Sequence, residues 1–248
     1  MHYIFISPHY DDICFSLGGF LHKIRNSSIK KTLINIYTIS NYCENESILS
    51  EINSFSVREK INYISSLRDS EDSIFAEKYN LNKVNLGFVE AGIRNLVWNL
   101  DYIENDIKSL QEVITNLLKK IIIKDKETVI FVPMSIGCHR DHVVSNKVIK
   151  NLLNNNLLKN VIFYEDTPYI TFGKNRFNFF NENKHFFKKN NNYEQLKIIL
   201  NEEELKTKST NIKIYRSQLS VDEFDNFNIK KYVLLNNNNY IESLWKKL

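Results

Sequence analysis

The stretch YIFIS at residues 3–7 and the loop Pro8-His9-Tyr10-Asp11-Asp12 that follows it decide the fold class of this chain. A short run of aromatic and β-branched residues is typical of a strand buried in a parallel sheet. The polar residues after it lie at the carboxyl end of that strand, where open parallel sheets gather their ligands. The stretch therefore predicts an α/β fold and also the place of its functional site.

Strand and helix patterns alternate from this stretch to about residue 165. Strands are predicted at residues 3–7, 33–39, 84–89, 128–132 and 161–164. Helices are predicted after Gly19 to about 25, and at about 56–79, 101–123 and 141–153. Such alternation indicates βαβ units. We expect a Rossmann-like parallel sheet of about five strands flanked by helices.

The C-terminal third is less regular. It contains a predicted strand near residues 185–187, a helix around 202–219 and a helical turn or two near 240–245. No segment is rich enough in Pro, Gly or Ser to be a linker. We therefore expect one domain over residues 1–248, with the Rossmann-like core at 1–165 and an irregular α+β elaboration at 166–248.

Composition narrows the function classes. Lys plus Arg number 33 against 29 Asp plus Glu, a net charge of +4 that is spread along the chain and does not indicate a nucleic-acid binder. Three cysteines form no CxxC pair, and neither a leader peptide nor a membrane-spanning apolar run is visible. These features predict a cytoplasmic location without a transmembrane segment. The oligomeric state stays open.

Two strand ends carry the residues suited to chemistry. His9 and Asp12 follow the first strand at a spacing that lets both approach one ion, and His142 follows the fourth strand. Two histidines and one carboxylate that leave positions open are the ligand set of a catalytic metal site. Zn²⁺ is the expected ion, although Fe²⁺ accepts the same set.

Two further side chains at these strand ends are suited to acid–base work. Asp11 is placed to act as a general base, and His139 to donate to a developing oxyanion or leaving amine. A simpler interpretation is also open. Asp11, Asp12 and Asp141 could do no more than cap the helices that follow the two strands.

The two loops resemble the motifs of a known family. His9-Tyr10-Asp11-Asp12, with Leu17-Gly18-Gly19 after it, resembles the His-Pro-Asp-Asp motif of the LmbE-like (PIG-L) family of metal-dependent N-deacetylases. His139-Arg140-Asp141-His142 resembles that family's His-Pro-Asp-His motif. Tyr10 and Arg140 replace the two prolines, which puts the shape of the loops in question more than the chemistry.

Four softer motifs extend the resemblance in the same order along the chain. They are Arg68-Asp69-Ser70-Glu71-Asp72, then Glu90-Ala91 with Arg94, then Tyr164-Glu165-Asp166-Thr167-Pro168-Tyr169, and finally Lys208 with Tyr215-Arg216-Ser217-Gln218. The third is similar to an element found in a sugar-modifying subset of the family.

The resemblance implies a role for each motif residue. It implies His9, Asp12 and His142 as Zn²⁺ ligands, Asp11 as general base, His139 as electrophilic or acid group, and Asp141 as a residue that orients His139 or His142. It also implies that Arg68 and Glu90 bind the substrate. The alternatives are an ion pair of Arg68 with Glu71 or Asp72, and a solvated loop carboxylate for Glu90. Trp98 and Trp245 are expected to be packing residues rather than a sugar platform, although Trp98 follows the Glu90 loop and could line the cleft.

The resemblance implies a zinc-dependent hydrolase that removes the N-acetyl group from an N-acetylated amino sugar or its glycoconjugate, a small-molecule partner. A non-catalytic Rossmann-like module that binds a nucleotide or a sugar is the alternative, although no GxGxxG or Walker motif is present. A metal-dependent phosphoesterase is a further rival, but ligands for a second metal are not apparent in the sequence.

Overall fold

Five runs of aromatic and β-branched residues form the parallel strands predicted from the sequence. The structure is a computed structural model that describes residues 1–124, 127–171, 174–182 and 193–247. The parallel strands lie in the spatial order β3-β2-β1-β4-β5. They are β1 (His2–Ser7), β2 (Lys30–Ile39), β3 (Asn82–Val89), β4 (Thr128–Pro133) and β5 (Val161–Tyr164). The predicted Rossmann-like α/β fold is confirmed.

The strand order explains where the site lies. The chain moves from β1 through β2 to β3 in one direction, then returns to β4 beside β1 and continues to β5. Ile4 of β1 therefore lies opposite Thr32 of β2 on one side and Ile130 of β4 on the other. The loops after β1 and β4 separate at this point of reversal, which creates the crevice in which open α/β sheets bind ligands.

Helices cover the sheet. They are α1 (Asp12–Lys23), α2 (Glu46–Glu51), α3 (Val57–Lys78), α4 (Glu104–Lys124), α5 (Arg140–Asn154), α6 (Asn175–Glu182), α7 (Glu202–Ile212) and α8 (Val221–Asp225). The first helix starts at Asp12, so Gly18 and Gly19 lie inside it and not before it as predicted. Of the helices described, none has both the length and the apolar character needed to cross a membrane.

Two apolar clusters hold the helices against the sheet. The first cluster joins the sheet to α4 and α5 through residues such as Leu110, Ile114 and Val144. The second cluster joins it to α1 and α3, with Ile13 and Phe75 fully buried. Each fully buried side chain of this size contributes about 1.5–3 kcal/mol relative to an exposed one. The strand ends are therefore held on a rigid base.

The C-terminal segment extends the same sheet. Its strands are β6 (Tyr193–Leu200), β7 (Leu234–Asn236) and β8 (Asn239–Lys247), and β8 pairs antiparallel with β5, β6 and β7. Among the described residues the sheet thus has eight strands rather than five. The division of the chain at residue 165 stays a prediction.

Two of the C-terminal predictions are wrong. The helix predicted near residues 240–245 is part of β8, where Glu242 and Ser243 are buried and hydrogen bonded to distant partners. The helix predicted around 202–219 ends at Ile212. The strand predicted near 185–187 lies outside the described residues.

Candidate metal centre and active site

Three histidines meet where β1 and β4 end. His9 lies in the loop after β1, His139 caps the N-terminus of α5, and His142 lies in the first turn of that helix. One nitrogen of each ring lies within 4.8 Å of one nitrogen of each other ring. The sequence predicted this convergence for His9 and His142 as metal ligands, with His139 beside them.

Asp12 belongs to the same cluster. Its Oδ2 atom accepts a hydrogen bond from the backbone N–H of His9 at 2.7 Å and lies 3.5 Å from His9 Nδ1. Its Oδ1 atom lies 3.3 Å from His142 Nε2. The structure therefore brings together the three residues predicted to hold a metal.

His142 is prepared to act as a ligand through one nitrogen. Its Nδ1 atom is hydrogen bonded to Asp166 Oδ1 at 2.7 Å, which favours the tautomer with the proton on Nδ1. Its Nε2 atom is buried and finds no hydrogen-bond partner among the described residues. Metal-binding histidines commonly donate their other N–H to a carboxylate in this way. The donor set therefore fits a divalent cation.

Asp141 contacts His9 through its carboxylate and His139 through its backbone N–H. Its Oδ2 atom lies 3.1 Å from His9 Nε2 and accepts the backbone N–H of Ala91 at 2.9 Å. Its Oδ1 atom accepts from Arg94 at 3.1 Å. The carboxylate thus contacts His9 rather than His139 or His142, and it leaves His9 Nδ1 as the nitrogen that faces Asp12.

His139 is held in a neutral form. Its Nδ1 atom accepts the backbone N–H of Asp141 at 3.3 Å, so the ring proton belongs on Nε2. Burial, with the positive charges of His9 and His142 nearby, lowers the pKa of His139 to about 3. The ring can therefore donate a hydrogen bond from Nε2 at neutral pH.

Carboxylates surround the two other rings. Burial alone would lower the pKa of His142, but Asp12 and Asp166 outweigh it and raise that pKa to about 9. Burial would also lower the pKa of His9, but its hydrogen bonds with Asp12 and Asp141 outweigh burial and raise that pKa. The pKa of Asp12 is lowered despite its burial, because the charges of His142 and His9 favour its ionised form. Such a concentration of buried carboxylates favours a cation at the centre.

Arg68 links Asp11 to Glu90. Its Nη2 donates to Asp11 Oδ1 at 3.0 Å, and its Nη1 donates to Glu90 Oε1 at 2.5 Å and to Ser40 Oγ at 2.6 Å. Glu90 Oε2 accepts from the Ser40 hydroxyl at 2.7 Å. Arg68 therefore pairs with neither Glu71 nor Asp72, and Glu90 is a buried partner of Arg68 rather than a solvated carboxylate.

These groups line a pocket with a volume of about 250 Å³. Trp98 is 63% exposed and lines this pocket, which is the alternative that the sequence left open beside packing. The lining residues are His9, Asp11, Asp12, Tyr42, Arg68, Glu90, Gly92, Val97, Trp98, His139, Pro168, Tyr169 and Gln218.

The first and last of the softer motifs contact each other. Glu71 accepts hydrogen bonds from the backbone N–H and the hydroxyl of Ser217 at 2.8 and 2.6 Å. Asp72 accepts from the Tyr215 hydroxyl at 2.8 Å. These contacts hold the segment that carries Gln218 to the pocket.

Sequence reasoning assigned no role to Asp166 or Tyr169. Asp166 follows β5, so the rule that ligands gather at strand ends applies to it as it does to His9. Tyr169 comes three residues later, and its ring centroid lies 5.4 Å from that of His142. Both belong to the third softer motif, which was the signal available in the sequence.

The family to which the chain belongs follows from a sequence comparison. Residues 4–153 match the PIG-L family, described as GlcNAc-PI de-N-acetylase. This chain is a PIG-L family protein. The matched region runs from β1 through α5, so it carries His9, Asp12, His139 and His142. No curated protein sequence matches the chain.

Solved structures share the fold of this PIG-L protein at low sequence identity. A deacetylase of the teicoplanin biosynthesis pathway matches with a TM-score of 0.71 and 15% identity over 100% of this chain and 98% of the other. The zinc-inhibited form of a teicoplanin deacetylase matches with a TM-score of 0.71 and 14% identity over 100% and 98%. N,N′-diacetylchitobiose deacetylase from Pyrococcus horikoshii matches with a TM-score of 0.56 and 14% identity over 98% and 82%.

Proposed function

We propose that this protein is a divalent-metal-dependent amide hydrolase that removes the N-acetyl group from an N-acetylated amino sugar or its glycoconjugate. The observation that carries the proposal is the buried Nε2 of His142, which has no hydrogen-bond partner among the described residues. The ring is held by Asp166 and lies beside Asp12 and His9, which line the pocket. The acetylated amino sugar rests on the family and on the substrates named for its structural relatives.

His9, Asp12 and His142 would hold the ion. His142 would bind through Nε2, and His9 through Nδ1 because its Nε2 lies against Asp141. We expect Zn²⁺, with Fe²⁺ as the alternative for the same ligands. When bound, such an ion lowers the pKa of a coordinated water and polarises an amide carbonyl.

Asp11 would act as the general base. Arg68 holds its Oδ1 atom, which fixes the orientation of the carboxylate at the pocket wall. The carboxylate takes a proton from water as the water oxygen bonds to the amide carbon. The C–N bond then breaks, the proton passes to the nitrogen, and acetate and a free amine leave.

His139 would stabilise the oxyanion. Its neutral ring carries the proton on Nε2, since Nδ1 accepts from the Asp141 backbone. A donor placed in advance of the reaction lowers the barrier without reorganisation, and removal of one such donor costs about 10²–10³ in rate.

Asp11→Asn tests this assignment. We expect the variant to keep its metal, measured by elemental analysis, and to lose about 10²–10⁴ in acetate release from a panel of N-acetylglucosamine conjugates. Asp225→Asn, which changes an exposed carboxylate on α8, is the matched control and should behave as wild type. His142→Ala should lose both metal and activity.

Three outcomes count against the proposal. Metal-loaded Asp11→Asn protein with a near wild-type rate would exclude Asp11 as the base. A wild-type protein that takes up no metal would remove the metal centre. A metal-loaded protein that binds saccharides and releases no acetate would favour the non-catalytic binding module. The cytoplasmic location stays a prediction.

A further inference from the structure

Trp98 has an unusual position for a large apolar side chain. It is 63% exposed and lies in the connection between β3 and α4, on the wall of the pocket. Its ring centroid lies 5.5 Å from that of His139 and 6.4 Å from that of Tyr169, both in edge-to-face geometry. An indole in this position adds an apolar surface directly beside the candidate reaction centre.

The backbone on both sides of Trp98 is held by one residue. The backbone N–H of Arg140 donates to the carbonyl of Val97 at 2.8 Å, and its guanidinium Nη1 donates to the carbonyl of Asn99 at 2.5 Å. The same Nη1 donates to the carbonyl of Asp101 at 3.0 Å. Trp98 is thus exposed to solvent on a backbone that is fixed before any ligand arrives.

Asp106 completes this arrangement. It accepts hydrogen bonds from Arg140 Nε at 2.9 Å and from Arg94 Nη1 at 2.8 Å. Arg140 is 3% exposed, so its charge is buried and paired. Buried guanidinium groups that are paired and hydrogen bonded hold their partners in one geometry.

The residue type at position 140 matters for this contact. A proline there would have neither an N–H for the Val97 carbonyl nor a guanidinium for the Asn99 carbonyl. Arg140 stands where the resemblance predicted proline, so the hold on Trp98 is a property of this chain. The replacement therefore does more than alter the shape of the loop.

The pocket is small relative to a conjugated substrate. Its volume of about 250 Å³ lies below the roughly 300–1,000 Å³ typical of pockets that enclose drug-sized ligands. A conjugate of an amino sugar would then extend beyond it, across the exposed face of Trp98. We propose that Trp98, positioned by Arg140, is a stacking platform for a second sugar ring attached to the acylated amino sugar. This inference rests on the proposed function.

Kinetics with two saccharides test the platform. In the metal-loaded wild type, N,N′-diacetylchitobiose should have a lower KM for acetate release than N-acetylglucosamine. Trp98→Ala should raise the KM for the disaccharide about fivefold more than it raises the KM for the monosaccharide. Tyr102→Ala, a 90% exposed aromatic of the same connection outside the pocket lining, is the matched control.

Tryptophan fluorescence provides a readout other than activity. Trp98 and Trp245 are the two tryptophans of the chain. In an Asp11→Asn background, N,N′-diacetylchitobiose should quench the emission with a saturating titration. The same titration of a protein that also carries Trp98→Phe should show no quench of tryptophan emission, since Trp245 is then the remaining tryptophan.

Arg140 is tested as a positioning residue. Arg140→Ala keeps the backbone N–H and leaves Asp106 paired with Arg94, whereas Arg140→Pro removes the contacts with both the Val97 and the Asn99 carbonyl. Both should raise the disaccharide KM, Arg140→Pro more, while the metal content stays constant. Neither should raise KM further once Trp98 is already alanine. A full further rise in that background would overturn the positioning role.

The outcomes separate the platform from the proposed function. Acetate release with a disaccharide KM that changes less than twofold in Trp98→Ala would overturn the platform and leave the hydrolase intact. Saturating quench through Trp98 without acetate release would support the platform and overturn the hydrolase. Absence of both signals would overturn both.

Discussion

Replacing Asp72 with asparagine should change how the stability of the protein depends on pH. Asp72 is fully buried on α3, where burial raises the pKa of its carboxyl from 3.8 to about 7 against the opposing effects of Tyr215, Lys83 and Asn35. Between these two values the unfolded chain carries a carboxylate while the folded protein keeps the acid. Folding then takes up a proton, so Asp72 makes stability fall as pH rises through this range.

The size of the effect follows from the two pKa values. The shift is about 7 − 3.8 = 3.2, and at 1.36 kcal/mol for each unit it amounts to at most about 4 kcal/mol. The slope cannot exceed about 1.4 kcal/mol per pH unit. Below pH 4 both states are protonated and the contribution disappears, whereas above pH 7 it is fully present.

Asp72→Asn keeps the shape of the neutral acid. Its amide oxygen can accept from the Tyr215 hydroxyl, as the Oδ1 atom of Asp72 does. Its amide nitrogen would face Asn35, whose Oδ1 is buried and has no hydrogen-bond partner within the described residues. A flip of the Asn35 amide pairs its oxygen with the new amide nitrogen and gives up the hydrogen bond from Asn35 Nδ2 to Asn85 Oδ1. The variant should therefore fold and lack the proton uptake.

Urea unfolding followed by circular dichroism at pH 4 to 8 measures the difference. The unfolding free energy of Asp72→Asn minus that of the wild type should grow with pH, by up to about 4 kcal/mol. The groups of the metal centre titrate in the same way in both proteins, so their contribution cancels in the difference between the two unfolding free energies. Glu77→Gln, exposed on the same helix, is the control. A difference that stays constant within about 1 kcal/mol, or decreases with pH, would refute the reasoning.

Three further predictions follow from buried contacts. Asp166→Asn should weaken metal binding by about 10- to 100-fold in a chelator competition, and unchanged affinity would contradict the role of Asp166 in orienting His142. Gly19→Ala should cost about 1–3 kcal/mol in thermal unfolding because its Cβ would lie 2.5 Å from Leu200 Cδ2, whereas Gly18→Ala, with Lys208 Cγ at 3.6 Å, should not destabilise. Lys208→Met should cost about 3–5 kcal/mol because it leaves the buried Glu242 without its ion pair, whereas the exposed Lys206→Met should be neutral in the same assay.

The sequence alone predicted the five parallel strands, which form the part of the fold that carries the site. The strands β1 and β4 are continuous apolar runs, because both faces of a parallel sheet are covered by helices. This pattern is local, so it can be read without knowing what packs on the strand. Once the strands are placed, the strand-end rule brings His9 and His142 together, as the structure does.

The strand β8 could not be predicted in this way because its buried residues are polar. Glu242 accepts from Lys208 and from the backbone N–H groups of Gly19 and Phe20. Ser243 donates to Glu165. All these partners lie more than 30 positions away in the chain. Glu242 and Ser243 therefore resemble the solvent face of a helix until their partners are known.

The two replaced prolines show how this protein keeps its loops in place. A proline fixes its own backbone angle, whereas Tyr10 acts through its side chain and Arg140 through its side chain and its backbone N–H. Tyr10 is buried in the second apolar cluster, and Arg140 is buried against Asp106 and the carbonyls beside Trp98. In both loops, contacts with distant parts of the chain therefore do the work that the ring of a proline would do within one residue. At Arg140 the exchange reaches the pocket wall, and for this reason the substrate range should depend on a residue that does not itself line the pocket.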